Sequence, residues 1–147
     1  MIVKPAFATL KSNYRTKPDQ IHHCPTMVFP DTCAIRMSEA LVTTNAAFLD
    51  AFKSSRNNVC PHGYMRGAQD LAAVLSGPRV FAQRDDGWSA QANKTAAPAE
   101  AQGVKGIVCY MKIPGFDGQG HIDLWDGKKP VGHARWDAQT IWLWKLP

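Results

Sequence analysis

The sequence predicts an α+β fold, with N-terminal helices packed on a C-terminal antiparallel sheet. Three observations carry that expectation. Apolar residues recur at helical spacing through the first half, over residues 5–14, 32–43 and 64–76. Apolar runs bounded by turn residues fill the last third, over 104–113, 121–125, 131–136 and 140–145. No internal repeat interleaves the two kinds of segment. The length of 147 residues suits one domain, 1–147, with an ordinary hydrophobic core.

Taken in order, residues 5–14 place Phe7, Leu10 and Tyr14 at i, i+3 and i+7 behind Pro5, a short amphipathic helix opened by proline. Residues 15–30 hold three prolines, two histidines and a cysteine and read as loop. Pro30 cannot continue an upstream helix, and Asp31 and Thr32 are both good N-caps. Ala34, Ile35, Met37, Ala40 and Leu41 then define a helix over 32–43. Residues 45–53 read as a further helix or a loop extension, and 54–63 as loop. Leu71, Val74 and Leu75 share one face of a helix over 64–76, stopped by Gly77-Pro78. Residues 80–82 suggest a short strand. The polar stretch 83–103 suggests only a weak helix at 98–102.

The run 104–113 reads as a central strand, ended by Pro114-Gly115. In G-H-I-D-L-W, Ile122 and Leu124 alternate with His121, Asp123 and Trp125, so His121 and Asp123 share one strand face. Asp126-Gly127 is a turn signal. A second strand over 131–136 would complete a hairpin, and 140–145 is the last strand.

The composition is 45% hydrophobic and 20% charged, that of a globular chain. No stretch approaches the roughly 20 apolar residues of a membrane span. The N-terminal residues show no long apolar core and no convincing cleavage site, so export would use something other than a cleaved signal peptide. The net charge of +5 suits a polyanionic partner such as cell-wall polymer. The basic residues are scattered and never run beyond two, which is not the pattern of a nucleic-acid-binding stripe.

Cys24, Cys33, Cys60 and Cys109 contain no C-x-x-C pair, which argues against a zinc knuckle. Cys24 and Cys60 lie beside prolines, flank the 32–43 helix, and are the candidates for a disulfide in an oxidising compartment. Cys109 belongs to the core. His22-His23-Cys24 lacks a fourth-ligand pattern, so no metal is expected there. No organic cofactor is expected either.

Cys33 carries the chemistry. A thiol in the first turn of a helix faces unpaired backbone N–H groups and the positive end of the dipole, which favours the thiolate. The plain alternative is a small buried core residue. A cysteine early on a helix and a histidine later on a strand, His121, follow the chain order of papain-like thiol hydrolases. His121 would take the thiol proton and later protonate the leaving amine.

With these residues in view, the chain resembles the type VI secretion amidase effectors, in particular the fourth family. These are small papain-like, NlpC/P60-type peptidoglycan endopeptidases. The segments that carry the resemblance are K-P-A-F-A-T-L, D-T-C-A-I-R-M-S-E-A-L, G-Y-M-R-G-A-Q-D-L-A-A-V-L, G-V-K-G-I-V, G-H-I-D-L-W-D-G and I-W-L-W. The resemblance implies cleavage of peptidoglycan peptide stems between D-glutamate and meso-diaminopimelate, in the periplasm of a rival cell. It also implies a cognate immunity protein in the producer.

By the same resemblance, Cys33 is the nucleophile and His121 the base. The family usually adds an aspartate soon after the W-x-G turn, but the aligned position here is near Gly132, which has no side chain. The neighbouring His133, twelve residues beyond His121 on the expected partner strand, resembles the second histidine of NlpC/P60 enzymes and is the expected third member. Asp137, Asp126 and Asp123 are its rivals. Asp123 shares a face with His121 but starts about 6.6 Å away at Cα and points parallel to it. Asp126 reads as turn chemistry. Gly120, Asp123 and Trp125 are expected at the substrate, Gly120 by letting its backbone approach closely. Arg36, one turn after Cys33, is placed either to contact a substrate carboxylate or, the favoured reading, to form a salt bridge along its helix. A wall hydrolase of housekeeping or phage type, and a non-catalytic wall-binding module, remain alternative uses of the same fold.

Overall fold

Alternate residues of a strand point to opposite faces of a sheet, and here that alternation divides two cores. The computed structural model describes residues 1–15, 32–56, 59–89 and 96–147. Helix α1 spans Phe7–Asn13, α2 Cys33–Thr44, α3 Ala47–Ser55 and α4 Ala68–Leu75. Strands β1 (Asp86–Ser89), β2 (Gly106–Met111), β3 (His121–Trp125) and β4 (Thr140–Lys145) form one antiparallel sheet in the order β1-β4-β2-β3. The predicted α+β arrangement is therefore the one observed.

Strand β2 is buried at all six positions, which explains its unbroken apolar run. Ile107, Cys109 and Met111 join Ile122, Leu124 and Trp144 on the face that packs against the helices. Val108, Tyr110, Trp125, Ile141 and Leu143 face a second layer, where Ala101, Trp136 and Ala138 cover them.

Helix α2 is the hub. It packs against α1, α3, α4 and β3. Every residue from Ala34 to Leu41 is buried, so the helix runs through the core with only its two ends near solvent. Two of its polar residues reach partners on other elements: the Ser38 hydroxyl accepts the Met65 N–H at 3.1 Å, and Glu39 Oε1 lies 3.7 Å from Arg15 Nε.

Several expectations change. The helix expected over 64–76 begins only at Ala68: Gly67 is extended, and Met65 pairs with Val59 in an isolated bridge. Residues 80–82 form no strand, because the N–H groups of Phe81 and Ala82 turn back to the carbonyls of Leu75 and Gly77. The strand expected over 131–136 is absent. Pro130 makes a single bridge with Trp125, and Val131 makes one bond to Leu124. The N–H groups of Gly132 and His133 then go to the carboxylate of Asp123 instead of a ladder. Strand β3 is thus a sheet edge covered by a loop. Strand β1, which the polar sequence D-G-W-S did not announce, pairs with β4 as the opposite edge.

Cys60 is disulfide-bonded. Its expected partner Cys24 lies outside the described residues, as do His22 and His23. Cys33 and Cys109 are thiols. No helix among the described residues is long and apolar enough to cross a membrane.

Asp85 fastens the N-terminal segment to the sheet. It accepts Lys4 Nζ at 2.6 Å and the Lys145 N–H at 2.7 Å. Partial burial pushes its carboxyl up, but the Lys4 ammonium and the Lys145 N–H outweigh this and leave it below the usual carboxylate range. A carboxyl held low contributes stability above its unfolded value of about 3.9 and loses it as pH falls through the folded value. Asp85→Asn should therefore lower the thermal midpoint at pH 7 by the equivalent of less than about 1 kcal/mol, given the exposure of the pair. Thermal melts of the two proteins should converge below about pH 4.

Candidate active site

Cys33 opens α2 directly after Thr32. The Thr32 side chain makes no capping bond to the helix. Its hydroxyl accepts Arg36 Nε at 3.0 Å, and Arg36 Nη1 donates to the Arg15 carbonyl at 2.9 Å. Arg36 is buried in this bracket rather than forming the expected helix salt bridge. The bracket ties the end of α1 to the start of α2 and brings Tyr14 to the same place. The Tyr14 hydroxyl hydrogen-bonds the Asp123 carboxylate; burial, then the charges of Asp123 and Cys33, push it well above its ordinary value.

The β2–β3 loop delivers the histidine. Gly120 has φ +123°, and a Cβ there would collide with the Tyr110 carbonyl; only glycine fits. The Gly120 carbonyl lies 3.9 Å from Cys33 Sγ and accepts its S–H. Gln119 anchors the loop from the other side. Its side chain accepts the Asp70 N–H at 2.9 Å and donates to the Asp70 carboxylate at 2.8 Å. It thus caps α4, which has no local side-chain cap.

His121 is the first residue of β3. Its ring stacks on its cross-strand partner Tyr110, with centroids 6.0 Å apart and planes at 6°. Trp136 meets Tyr110 edge-on at 5.2 Å and Trp125 at 5.1 Å. The imidazole therefore rests on an aromatic layer that fixes its plane. Burial pushes the Tyr110 hydroxyl far above its ordinary value, with the Asp123 charge adding to it.

His121 Nε2 is buried, has no hydrogen-bond partner among the described residues, and faces Asp123 Oδ2 at 3.5 Å. Asp123 is fully buried. Its Oδ1 accepts the Leu124 N–H at 2.7 Å, and its Oδ2 accepts those of Gly132 and His133 at 2.8 and 2.7 Å. The carboxylate leans back along the strand toward His121, which the parallel side-chain directions of residues two apart did not suggest.

The structure thus gathers Cys33, Gly120, His121 and Asp123. The His133 ring lies with its centroid 6.2 Å from that of His121 and its plane tilted by 51°, carried by a loop and not by the expected strand. Asp137 is engaged by Arg135 at 2.8 and 3.0 Å. Asp126 accepts the N–H groups of Lys128 and Lys129, the expected turn role, and those bonds hold it below the usual carboxylate range. Trp125, expected at the substrate, is buried and donates Nε1 to the Ala101 carbonyl at 2.8 Å, so it supports the His121 layer from the core. Asp123, equally buried, faces His121 and not solvent. Tyr14 and Gln119 were missed because their partners lie far away in sequence. Cys109 is core, its thiol bonded to the Ala68 carbonyl and pushed up by burial. A separate cavity of about 270 Å³ between α3 and α4, lined by Ala51, Ser54, Val74, Pro78 and Val80 among others, contains no histidine, cysteine or carboxylate.

Comparison with known proteins gives the family and the fold. The sequence profile described as "Type VI secretion system (T6SS), amidase effector protein 4" matches residues 29–144. No curated protein matches the chain. The Tae4 effector of Enterobacter cloacae, solved in complex with Tai4, superposes with a TM-score of 0.75 at 20% identity, covering 99% of this chain and 100% of that one. The same effector solved without Tai4 gives 0.74 at 21% identity, over 99% and 98% of the two chains. The Salmonella Typhimurium Tae4–Tai4 complex gives 0.68 at 19% identity, over 96% and 95%. These likenesses establish the papain-like fold, and the profile establishes the family. The chain belongs to the type VI secretion system amidase effector protein 4 family, antibacterial cysteine-type amidases that cut the peptidoglycan stem between D-glutamate and meso-diaminopimelate.

Proposed function

We propose that Cys33 is the nucleophile and His121 the general acid and base of this amidase, working within a single domain that spans residues 1–147. The observation that carries the assignment is the contact of the Cys33 thiol, at the N-terminus of α2, with the Gly120 carbonyl immediately before His121. The thiolate attacks the carbonyl carbon of the D-glutamyl amide. The first-turn N–H groups of α2 point toward the same end of the helix and stabilise the oxyanion. Collapse of the tetrahedral intermediate breaks the C–N bond, and the His121 imidazolium gives its proton to the departing diaminopimelate amine. The thioester is then attacked by water. His121 takes the water proton, the C–S bond breaks, and the cleaved stem leaves as a carboxylate.

The target of this chemistry lies in the periplasm of the recipient cell. The net charge of +5 suits approach to an anionic wall. The Enterobacter and Salmonella relatives are solved with the immunity protein Tai4, and a cognate immunity protein is the corresponding partner here.

Cys33→Ala should reduce release of cleaved muropeptides from purified peptidoglycan by more than about 10³-fold, while circular dichroism and the thermal midpoint stay near wild type. Turnover within tenfold of wild type would contradict the assignment. Gly120→Ala forces a side chain into a left-handed conformation against the Tyr110 carbonyl, a strain of about 1–3 kcal/mol. Its melting temperature should fall, and its muropeptide cleavage should fall at least tenfold even at temperatures where it remains folded.

A further inference from the structure

We infer that Asp123, and not His133, is the positioning residue that holds the His121 imidazole, and that Gly132 is bare so that this carboxylate can sit where it does. The inference rests on the Cys33–His121 reading above and deepens it. His121 Nε2 is a buried polar atom with no hydrogen-bond partner among the described residues, and a buried polar group of this kind requires explanation. The group facing it is the Asp123 carboxylate at 3.5 Å. That separation is loose for a hydrogen bond, and contacts of this kind tighten when substrate or an imidazolium is present.

The carboxylate is fixed independently of the histidine. Three backbone N–H groups and the Tyr14 hydroxyl converge on it. All are donors, which is the environment of a carboxylate acting only as acceptor. Burying a charge is expensive unless it is hydrogen-bonded, and a carboxylate used merely to close a loop would not also have to face an imidazole. Gly132 supplies the second half of the argument. A Cβ on Gly132 would stand 2.8 Å from Asp123 Oδ2 and 3.4 Å from its Cγ. Any side chain at position 132 would displace the carboxylate from its place in front of His121.

His133 does not offer the same service. Its backbone N–H is spent on Asp123, its ring is exposed on a loop, and its plane is tilted by 51° to that of His121. Its contribution is made through its main chain.

The carboxylate acts on His121 in two ways. It selects the tautomer with the proton on Nε2, leaving Nδ1 as the base. It also favours the imidazolium that forms when the thiol loses its proton.

The test compares Asp123→Asn, His133→Ala and Cys33→Ala on defined muropeptides across pH. Asp123→Asn should lower kcat roughly 10²- to 10⁴-fold with little change in KM. The alkaline limb of its kcat/KM profile should move to lower pH. His133→Ala should stay within about threefold of wild type with the limb in place. A merely structural Asp123 would change the melting temperature without moving that limb. Should Asp123→Asn not fold, Gly132→Ala carries the same test, because its methyl group displaces the carboxylate and leaves its chemistry intact; it should show the same loss and the same shift. Near-wild-type kcat and an unmoved limb in the folded variant would overturn the inference. So would finding the loss and the shift in His133→Ala instead. An active Cys33→Ala would instead refute the nucleophile assignment, so the two failures are distinguishable.

Discussion

The N-terminus of α2 meeting the start of β3 is the contact on which the rest of the structure depends. A helix buried along one whole segment has little freedom to shift, because every residue from Ala34 to Leu41 is enclosed by other elements. Its first residue is therefore placed by the core. The β2–β3 loop is placed just as firmly by a left-handed Gly120 that closes under the Tyr110 carbonyl and by Gln119 capping α4. The helix layer and the sheet thus bring the Cys33 thiol to the Gly120 carbonyl, immediately before His121. On the proposed assignment of nucleophile and base, such fixed placement is worth several kcal/mol of barrier, because no further ordering is needed when substrate arrives.

The two cores serve that seam differently. The helix-side core fixes the height of Cys33 against the sheet. The opposite core, with Tyr110, Trp125 and Trp136, forms the aromatic floor on which His121 lies. The loop that replaces the expected strand over 131–136 contributes Trp136 to that floor and two N–H groups to Asp123. A regular strand there would have spent those N–H groups on ladder bonds and left the carboxylate with fewer donors.

Much of this was legible in the sequence where a single local pattern decided the outcome. Helix α2 and strands β2, β3 and β4 follow from their apolar spacing, and with them the places of Cys33 at a helix start and His121 at a strand start. The errors have physical causes. V-G-H-A-R-W alternates like a strand, but Pro130 cannot donate to a ladder and a buried carboxylate takes the next two N–H groups. Strand β1 is a short exposed edge and needs no apolar face. Helix α4 starts late because Met65 N–H is held by Ser38, twenty-seven residues away. Side-chain direction alone sets Asp123 parallel to His121, and its partners Tyr14 and Gly132 become visible only once the chain is folded. Family resemblance added the substrate and the partner, which no local pattern contains.

The central claim is that Cys33 is reactive because of where α2 and β3 place it. The most direct measurement is the rate of iodoacetamide alkylation at each thiol of the folded protein, resolved by peptide mass spectrometry, in wild type and in His121→Ala. The account predicts that Cys33 is labelled at least a hundredfold faster than the buried Cys109 near neutral pH, and that His121→Ala removes most of that advantage. Equal labelling of the two thiols, or a Cys33 rate indifferent to His121, would contradict it.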